Sequence, residues 1–244
     1  MSILKVSGLC KTYPAFRLRE VSFAVPPGAV MGLVGRNSAG KSTTLKSLLG
    51  LVHPDSGCVT MFGQDYAENE LRCKQQMGLV LGGADFYVNQ KVRTITDVTR
   101  QFHDRWDEKK YRELLRLFEI DEGKKLAQLS EGMKVKYMLA LALSHDARLL
   151  ILDEPTSGLD PVSRDELTEL FRRVVRSGER SILFSTHITS DLEKCATHIT
   201  LLHEGVVRYT GTREGFLTQY RDKGTTLEDI FVALERRSYD EAEL

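Results

Sequence analysis

The stretch Gly35-Arg36-Asn37-Ser38-Ala39-Gly40-Lys41-Ser42, hereafter the phosphate loop, matches the pattern G-x-x-x-x-G-K-[ST]. An apolar run at residues 30–34 precedes it, and a helix-like segment from Thr43 to Leu49 follows it. A strand, a glycine-rich turn and a helix in this order bring backbone N–H groups together around phosphate oxygens, beside the positive end of the helix dipole. The sequence therefore predicts a site for the phosphates of a nucleotide.

Two side chains at the end of the phosphate loop have separate predicted roles. We expect Lys41 to reach the β- and γ-phosphates as a catalytic point charge, and the Ser42 hydroxyl to ligate Mg²⁺. A glycine-rich turn that binds nothing is the alternative, but a turn does not require a lysine followed by a hydroxyl. The predicted nucleotide contacts are Gly35, Arg36, Asn37, Ser38, Ala39, Gly40, Lys41, Ser42 and Thr43.

Two adjacent carboxylates follow a second apolar run, at residues 149–152. Asp153 and Glu154 would stand at the carboxyl end of a buried parallel strand, beside the phosphate loop if the two strands are neighbours. We expect Asp153 to hold the Mg²⁺ shell, and Glu154 to orient and deprotonate the attacking water. Without the phosphate loop, a solvated strand end would explain this pair equally well.

Charge and cysteine content limit the class of protein. The 34 basic and 34 acidic residues among 244 balance, so no bulk charge favours nucleic acid or an anionic membrane surface. The cysteines are scattered without a C-x-x-C pair, which is typical of reduced cytosolic thiols. No run approaches about 20 uninterrupted apolar residues, and the first residues lack a signal-peptide pattern. We expect a soluble cytoplasmic chain that does not itself cross a membrane.

Apolar patterning predicts an α/β fold. Short alternating segments before the phosphate loop indicate strands of an N-terminal antiparallel β subdomain. Continuous apolar runs at 149–152 and 181–185, joined by a helix, indicate parallel strands covered on both faces. Residues 83–147 carry helical periodicity, so we interpret them as a helical subdomain inserted into a core made of 1–82 and 148–244.

Further motifs follow in a fixed order. They are Leu129-Ser130-Glu131-Gly132-Met133, the strand that ends in Asp153-Glu154, Ser157-Gly158-Leu159-Asp160, and His187 after a strand. Together with the phosphate loop, they resemble the nucleotide-binding domain of an ABC (ATP-binding cassette) transporter, from Tyr13 to at least Gly211. This resemblance implies a P-loop NTPase fold of the ABC ATPase type that binds ATP and Mg²⁺.

The resemblance also implies a head-to-tail pair of such domains that traps two ATP molecules between them. Ser130 and Gly132 match the signature motif that contacts the γ-phosphate of ATP held by the other protomer. Asp160 matches the residue at the dimer seam. From the residues alone, Ser130 is also a good helix N-cap with an acid in the first turn, and both interpretations can hold.

Two further roles come from the same resemblance. His187 matches the switch histidine that touches the γ-phosphate and helps to position Glu154, although a lone histidine at a strand end is usually structural. Tyr13 matches the aromatic residue that stacks on adenine. By sequence alone, a half-buried turn tyrosine is about as good an explanation.

The implied function is ATP hydrolysis that drives transport through a separate membrane permease, with export as the expected direction. The implied partners are a second ATP-binding subunit, identical or not, and that permease, which would hold the chain on the inner face of the cell membrane. No nucleic-acid partner is expected. The alternative is a nucleotide-dependent regulatory or assembly module with slow or no hydrolysis.

The chain departs from the family pattern at several positions. Gly82 stands where a glutamine usually lies near Mg²⁺, so that contact is lost, replaced by water or supplied by Asp85. This departure favours the slow-hydrolysis alternative. Glu131 and Met133 replace the common glycine and glutamine of the signature motif, a variant that resembles an exporter-like branch.

A group of aromatic residues in the predicted insert has two possible roles. They either form its core, which we favour, or line a groove that grips a permease helix. The residues are Phe86, Tyr87, Phe102 and Trp106.

Overall fold

The computed structural model describes residues 2–81 and 87–236, and within them it contains two sheets flanked by helices. The strands are β1 Leu4–Tyr13, β2 Phe16–Val25, β3 Val30–Val34, β4 Ser56–Met61, β5 Gln64–Asp65, β6 Met77–Leu81, β7 Leu149–Asp153, β8 Ser181–Thr186, β9 His198–His203 and β10 Val206–Thr212. The helices are α1 Lys41–Leu48, α2 Glu70–Lys74, α3 Val92–Arg100, α4 Glu108–Leu117, α5 Glu131–Ser144, α6 Pro161–Val175, α7 Thr189–Cys195, α8 Arg213–Gln219 and α9 Leu227–Glu235. Within the same ranges, the helices are too short or too polar to span a bilayer.

The N-terminal sheet is antiparallel, as predicted, with the strand order β2-β1-β4-β5. β1 and β2 form a hairpin in which Leu4 pairs with Val25 and Tyr13 pairs with Phe16. Alternate residues of β2 are buried, because one face of this sheet packs on the core while the other meets water. The hairpin turn therefore fixes the position of Tyr13 and Phe16 at one end of the sheet.

The main sheet has the order β10-β9-β3-β8-β7-β6. All of its neighbouring strands are parallel except the β9–β10 pair. The sequence placed Asp153 beside the phosphate loop on the condition that the strands before them are neighbours. These strands, β3 and β7, are not neighbours, because β8 lies between them. The crossover through α6 inserts β8 there, so β8 also brings its own side chains to the site.

Both faces of the main sheet are covered, which confirms the prediction from the continuous apolar runs. In β7, Leu149 and Ile151 pack in the cluster that includes the N-terminal sheet and α1. Leu150 and Leu152 pack on the opposite face, in the cluster that includes α5, α6 and α7. Burial on both faces explains why β7 lacks polar alternation until its last residue.

The helices α3, α4 and α5 lie between β6 and β7, where helical periodicity was predicted. Their buried side chains form a third cluster, which includes Tyr111 and Tyr137. At its centre the hydroxyl of Thr96 lies 2.6 Å from the Tyr111 hydroxyl and 2.8 Å from the Tyr137 hydroxyl. This cluster gives the helical segment apolar contacts of its own.

The predicted aromatic core of the insert is only partly correct. Trp106 packs against this cluster, with its ring centroid 5.2 Å from that of Tyr111. In contrast, Tyr87 and Phe102 are 72% and 69% exposed, so they are not core residues. Gly82, Asp85 and Phe86 lie outside the described residues, so the predictions that concern them stay open.

Candidate nucleotide-binding site

The candidate site lies at the carboxyl edge of the main sheet, where β3, β8 and β7 end together. β3 leads directly into the phosphate loop, and α1 begins at Lys41 with Gly40 as its N-cap. Gly40 has φ 109° and Ser38 has φ 68°, so the loop turns through left-handed backbone. This turn directs the first amides of α1 toward the space above the sheet edge, which suits an anion.

Lys41 is buried in the phosphate loop, with 5% of its side chain exposed. Its Nζ donates to the carbonyl oxygens of Gly35 at 2.8 Å and Arg36 at 3.2 Å. The same nitrogen lies 3.4 Å from Glu154 Oε1. The ammonium is thus fixed between the loop and the carboxylate that follows β7, where it places a positive charge beside the α1 amides.

The predicted metal ligands meet at the same edge. Ser42 Oγ lies 3.5 Å from Asp153 Oδ1. Ser185 on β8 donates a 2.6 Å hydrogen bond from its hydroxyl to the same Asp153 oxygen. A hydroxyl and a carboxylate at this separation are hard oxygen donors of the kind that Mg²⁺ prefers, so Ser42 and Asp153 fit such an ion.

Glu154 leaves β7 with a left-handed backbone, at φ 48°. A non-glycine residue in this region costs on the order of 1 to 3 kcal/mol, and such strain is often found at functional sites. Its Oε2 lies 2.9 Å from His187 Nδ1, and its Oε1 faces Lys41. The turn therefore holds the carboxylate between an imidazole and an ammonium at the mouth of the site.

Ser185 is a candidate site residue that the sequence did not indicate. Besides its bond to Asp153, its Oγ accepts a 2.8 Å hydrogen bond from the backbone N–H of Glu154. Ser185 is fully buried. A serine at a strand end matches no motif. The sequence also did not show that β8, the strand of Ser185, lies between β3 and β7.

We expect Ser185→Ala to lower both stability and ATP turnover. The substitution leaves the Glu154 N–H without its acceptor and removes the shorter of two hydroxyl contacts to Asp153, at a cost of about 1 to 3 kcal/mol. Denaturant unfolding and steady-state ATPase assays measure the two effects. Ser177→Ala, in an exposed turn, is the matched control. Wild-type behaviour of Ser185→Ala in both assays would contradict the assigned role.

A cavity of about 640 Å³ opens above the phosphate loop and Glu154. It is lined by Tyr13, Phe16, Asn37, Ser38, Gly40, Lys41, Ser42, Thr43, Glu154, Ser157 and His187. Tyr13 is 39% exposed, and Lys11 Nζ lies 5.9 Å from the centroid of its ring. Phe16, brought beside it by the β1–β2 hairpin, is a second aromatic wall that the sequence did not indicate.

Ser130, Gly132 and Asp160 lie at two helix N-termini. Ser130 caps α5 by accepting from the Met133 N–H at 3.2 Å, as its residue type predicts. Asp160 caps α6, and the Ser163 hydroxyl at 2.6 Å, with backbone amides, holds the pKa of Asp160 below its usual range. The two helix ends adjoin, because a methyl group on Gly132 would lie 3.5 Å from Ser163 Cβ.

Comparison with known proteins defines the class. A model of the ABC transporter family matches residues 18–157, and the chain belongs to this family. It is an ATP-binding subunit of an ABC transporter and an ATPase, with a P-loop NTPase fold. The sequence-based recognition of the family and the predicted fold are thereby confirmed.

Particular relatives agree with this assignment. The chain is 33% identical over 207 residues to the bacitracin transport ATP-binding protein BcrA of Bacillus licheniformis, covering 84% of this chain and 68% of the relative. It is 31% identical to the ABC-type transporter ATP-binding protein EcsA of Bacillus subtilis, covering 97% of this chain and 98% of EcsA. A solved ATP-binding subunit of an ABC transporter superposes with a TM-score of 0.85 at 30% identity, covering 96% of this chain and all of the other.

Proposed function

We propose that the chain hydrolyses Mg²⁺–ATP with Glu154 as the group that orients and deprotonates water. The observation that carries this proposal is the position of the Glu154 carboxylate, 2.9 Å from His187 Nδ1 and 3.4 Å from Lys41 Nζ. A carboxylate fixed in this way faces the phosphate loop and points its second oxygen to a histidine. Water held between Glu154 and the γ-phosphate would give its proton to the carboxylate as its oxygen bonds to the γ-phosphorus, while the bond from that phosphorus to the β–γ bridging oxygen breaks and ADP leaves.

The remaining residues of the cavity bind and orient the nucleotide in this proposal. Amides of the phosphate loop and the Lys41 ammonium neutralise the β- and γ-phosphates, and His187 touches the γ-phosphate. Ser42 and Asp153 would hold Mg²⁺, which would neutralise phosphate charge when bound. Tyr13 stacks on adenine, and its partial exposure beside the cavity supports this role.

Two such domains would close over two ATP molecules, each domain completing the site of the other. In this arrangement Ser130 and Gly132 contact the γ-phosphate held by the partner, and Asp160 lies at the seam. The adjoining N-termini of α5 and α6 support it, because they gather unsatisfied amides into one surface. Ser130 and Asp160 are both exposed, so that surface is accessible to a second protomer.

The variant Gly132→Ala tests the paired site without disturbing the fold of the single protomer. The nearest atoms to the added methyl group lie at 3.5 Å, and alanine favours a helix over glycine by about 0.5 to 1 kcal/mol. We therefore expect stability at or above wild type and unchanged affinity for ADP. ATP turnover should fall about tenfold or more, because in the proposed pair the backbone of Gly132 approaches the partner's γ-phosphate and tolerates little change there. Wild-type turnover would contradict the paired-site role.

We also propose that a separate membrane permease binds residues 83–147 and holds the chain on the inner face of the membrane. The exposed aromatic rings of Tyr87 and Phe102 support this docking surface, since exposed aromatic residues favour protein contacts. We propose export as the direction, since Glu131 and Met133 resemble the exporter-like variant and BcrA is named for bacitracin transport. Co-purification from detergent-solubilised membranes would identify the partner.

Steady-state ATPase activity with and without that partner tests the transport proposal. Turnover stimulated by the permease supports it. Negligible turnover in both conditions would instead support a regulatory or assembly module with slow hydrolysis, for which Gly82 is the favouring feature.

A further inference from the structure

The carboxyl end of α9 contacts the phosphate loop at Arg36, a residue that does not line the nucleotide cavity. Arg36 Nη1 donates to the backbone carbonyl of Glu235, the last residue of α9, at 3.2 Å. Glu235 Oε1 lies 2.8 Å from His203 Nδ1, at the end of β9. Arg36 thus lies with α9 and His203 in a second cavity, of about 710 Å³. This cavity adjoins the nucleotide cavity through Asn37, Ser38 and His187, but Arg36 itself lines only the second one.

The chemistry of this contact is specific. The last carbonyls of a helix lack intrahelical partners and carry the negative end of its dipole, so a guanidinium is a favourable cap. A glutamate at the same end is unfavourable for the dipole, and its side chain is only 6% exposed, so its charge also loses hydration. His203 offsets that cost through the hydrogen bond between its Nδ1 and the Glu235 carboxylate. This contact fixes the side chain of Glu235 and the end of α9.

The inner residues of α9 anchor the helix firmly. Leu227 and Ile230 are buried in the cluster on this face of the main sheet. The Leu227 N–H donates to Glu193 on α7 at 3.1 Å, and Thr226 and Asp229 cap the helix reciprocally. The position of Glu235 is therefore set by packing that does not involve the phosphate loop.

β9 supports the same side of the phosphate loop. The Gly205 N–H, just after His203, donates to the Ala39 carbonyl at 3.0 Å. Arg36 in turn offers its own carbonyl to Lys41 Nζ at 3.2 Å. A continuous path of contacts therefore runs from α9 through Arg36 to the lysine that faces the nucleotide.

We propose that Arg36, Glu235 and His203 form a latch by which α9 holds the phosphate loop in its nucleotide-binding conformation. Arg36 and Glu235 are then positioning residues that act through the loop and do not touch the phosphates with their side chains. The proposal rests on nucleotide binding by the phosphate loop, and not on hydrolysis by Glu154. Because coupling is reciprocal, bound nucleotide must in turn stabilise the docked end of α9.

Binding of ADP with Mg²⁺, measured by calorimetry on the full chain, tests the latch without requiring hydrolysis. We expect Arg36→Ala and Glu235→Ala each to weaken binding about three- to tenfold, the range of a modest coupling between sites. The matched controls are Arg208→Ala on β10 and Glu228→Ala on the first turn of α9, both exposed, which should bind like wild type. The double variant should bind about as weakly as Arg36→Ala alone, since both changes open the same latch.

Amide hydrogen exchange gives a second measurement. The effect of ADP on exchange in α9 would not depend on Arg36 if Arg36 only stabilised the fold. In wild type, ADP should slow amide exchange in the last turn of α9, and in Arg36→Ala this protection should be lost. Affinity within twofold of wild type for Glu235→Ala, or ADP-independent exchange in α9, would overturn the proposal. If Arg36→Ala alone weakened binding, Arg36 would be a direct phosphate ligand and the latch would be wrong.

Discussion

Glu154→Gln is expected to lower steady-state ATP turnover by about 100-fold or more, the usual contribution of a positioned general base. Glutamine keeps the size of the side chain and a hydrogen bond toward His187 Nδ1, which lies 2.9 Å from the carboxylate. It cannot take a proton from water. ATP binding should persist, so an ATP-trapped dimer should accumulate and be visible by size-exclusion chromatography in ATP.

The matched control for this variant is Glu169→Gln. Glu169 pairs with Arg173 on the exposed face of α6 and lies outside the cavity lining. It should retain wild-type turnover, because exposed ion pairs contribute little to stability. Turnover of Glu154→Gln close to that of the control would remove Glu154 from the role of base.

Gly35→Ala is expected to weaken nucleotide binding by more than about tenfold, because the loop must change shape to admit a Cβ. A Cβ at this position would lie 2.2 Å from the backbone oxygen of Leu202 and 2.9 Å from Ala39 Cβ. The first contact is to backbone at the end of β9, which cannot move aside as a flexible side chain can. The shift would also displace the Gly35 carbonyl that accepts from Lys41 Nζ.

Calorimetric titration with ADP measures this effect, and circular dichroism checks that the fold is intact. Gly123→Ala is the control, since the nearest atom to its added methyl group is the side-chain oxygen of Asp121 at 3.2 Å. Tight binding by Gly35→Ala would show that the phosphate loop tolerates the displacement, and that its observed conformation is not required for binding.

Much of the fold could be predicted because it depends on local pattern. The continuous apolar runs at β7 and β8 predicted parallel strands buried on both faces, and the apolar periodicity of α4 and α5 predicted helices. Pattern does not give strand order, so the position of β8 between β3 and β7 was not foreseen. The sequence also did not predict that Tyr87 and Phe102 are exposed. An aromatic residue outside a helical apolar pattern does not indicate whether its side chain faces the core or the solvent.

The sequence alone predicted the nucleotide chemistry, from a phosphate loop with Lys41 and Ser42 and a carboxylate pair at Asp153 and Glu154, and it identified the family to which the chain belongs. These features are local, because each depends on a few residues adjacent in the chain. Only the tertiary structure placed Ser185 between Asp153 and Glu154, and the end of α9 against Arg36. Contacts between residues far apart in sequence depend on how strands and helices pack, and no short pattern encodes that packing.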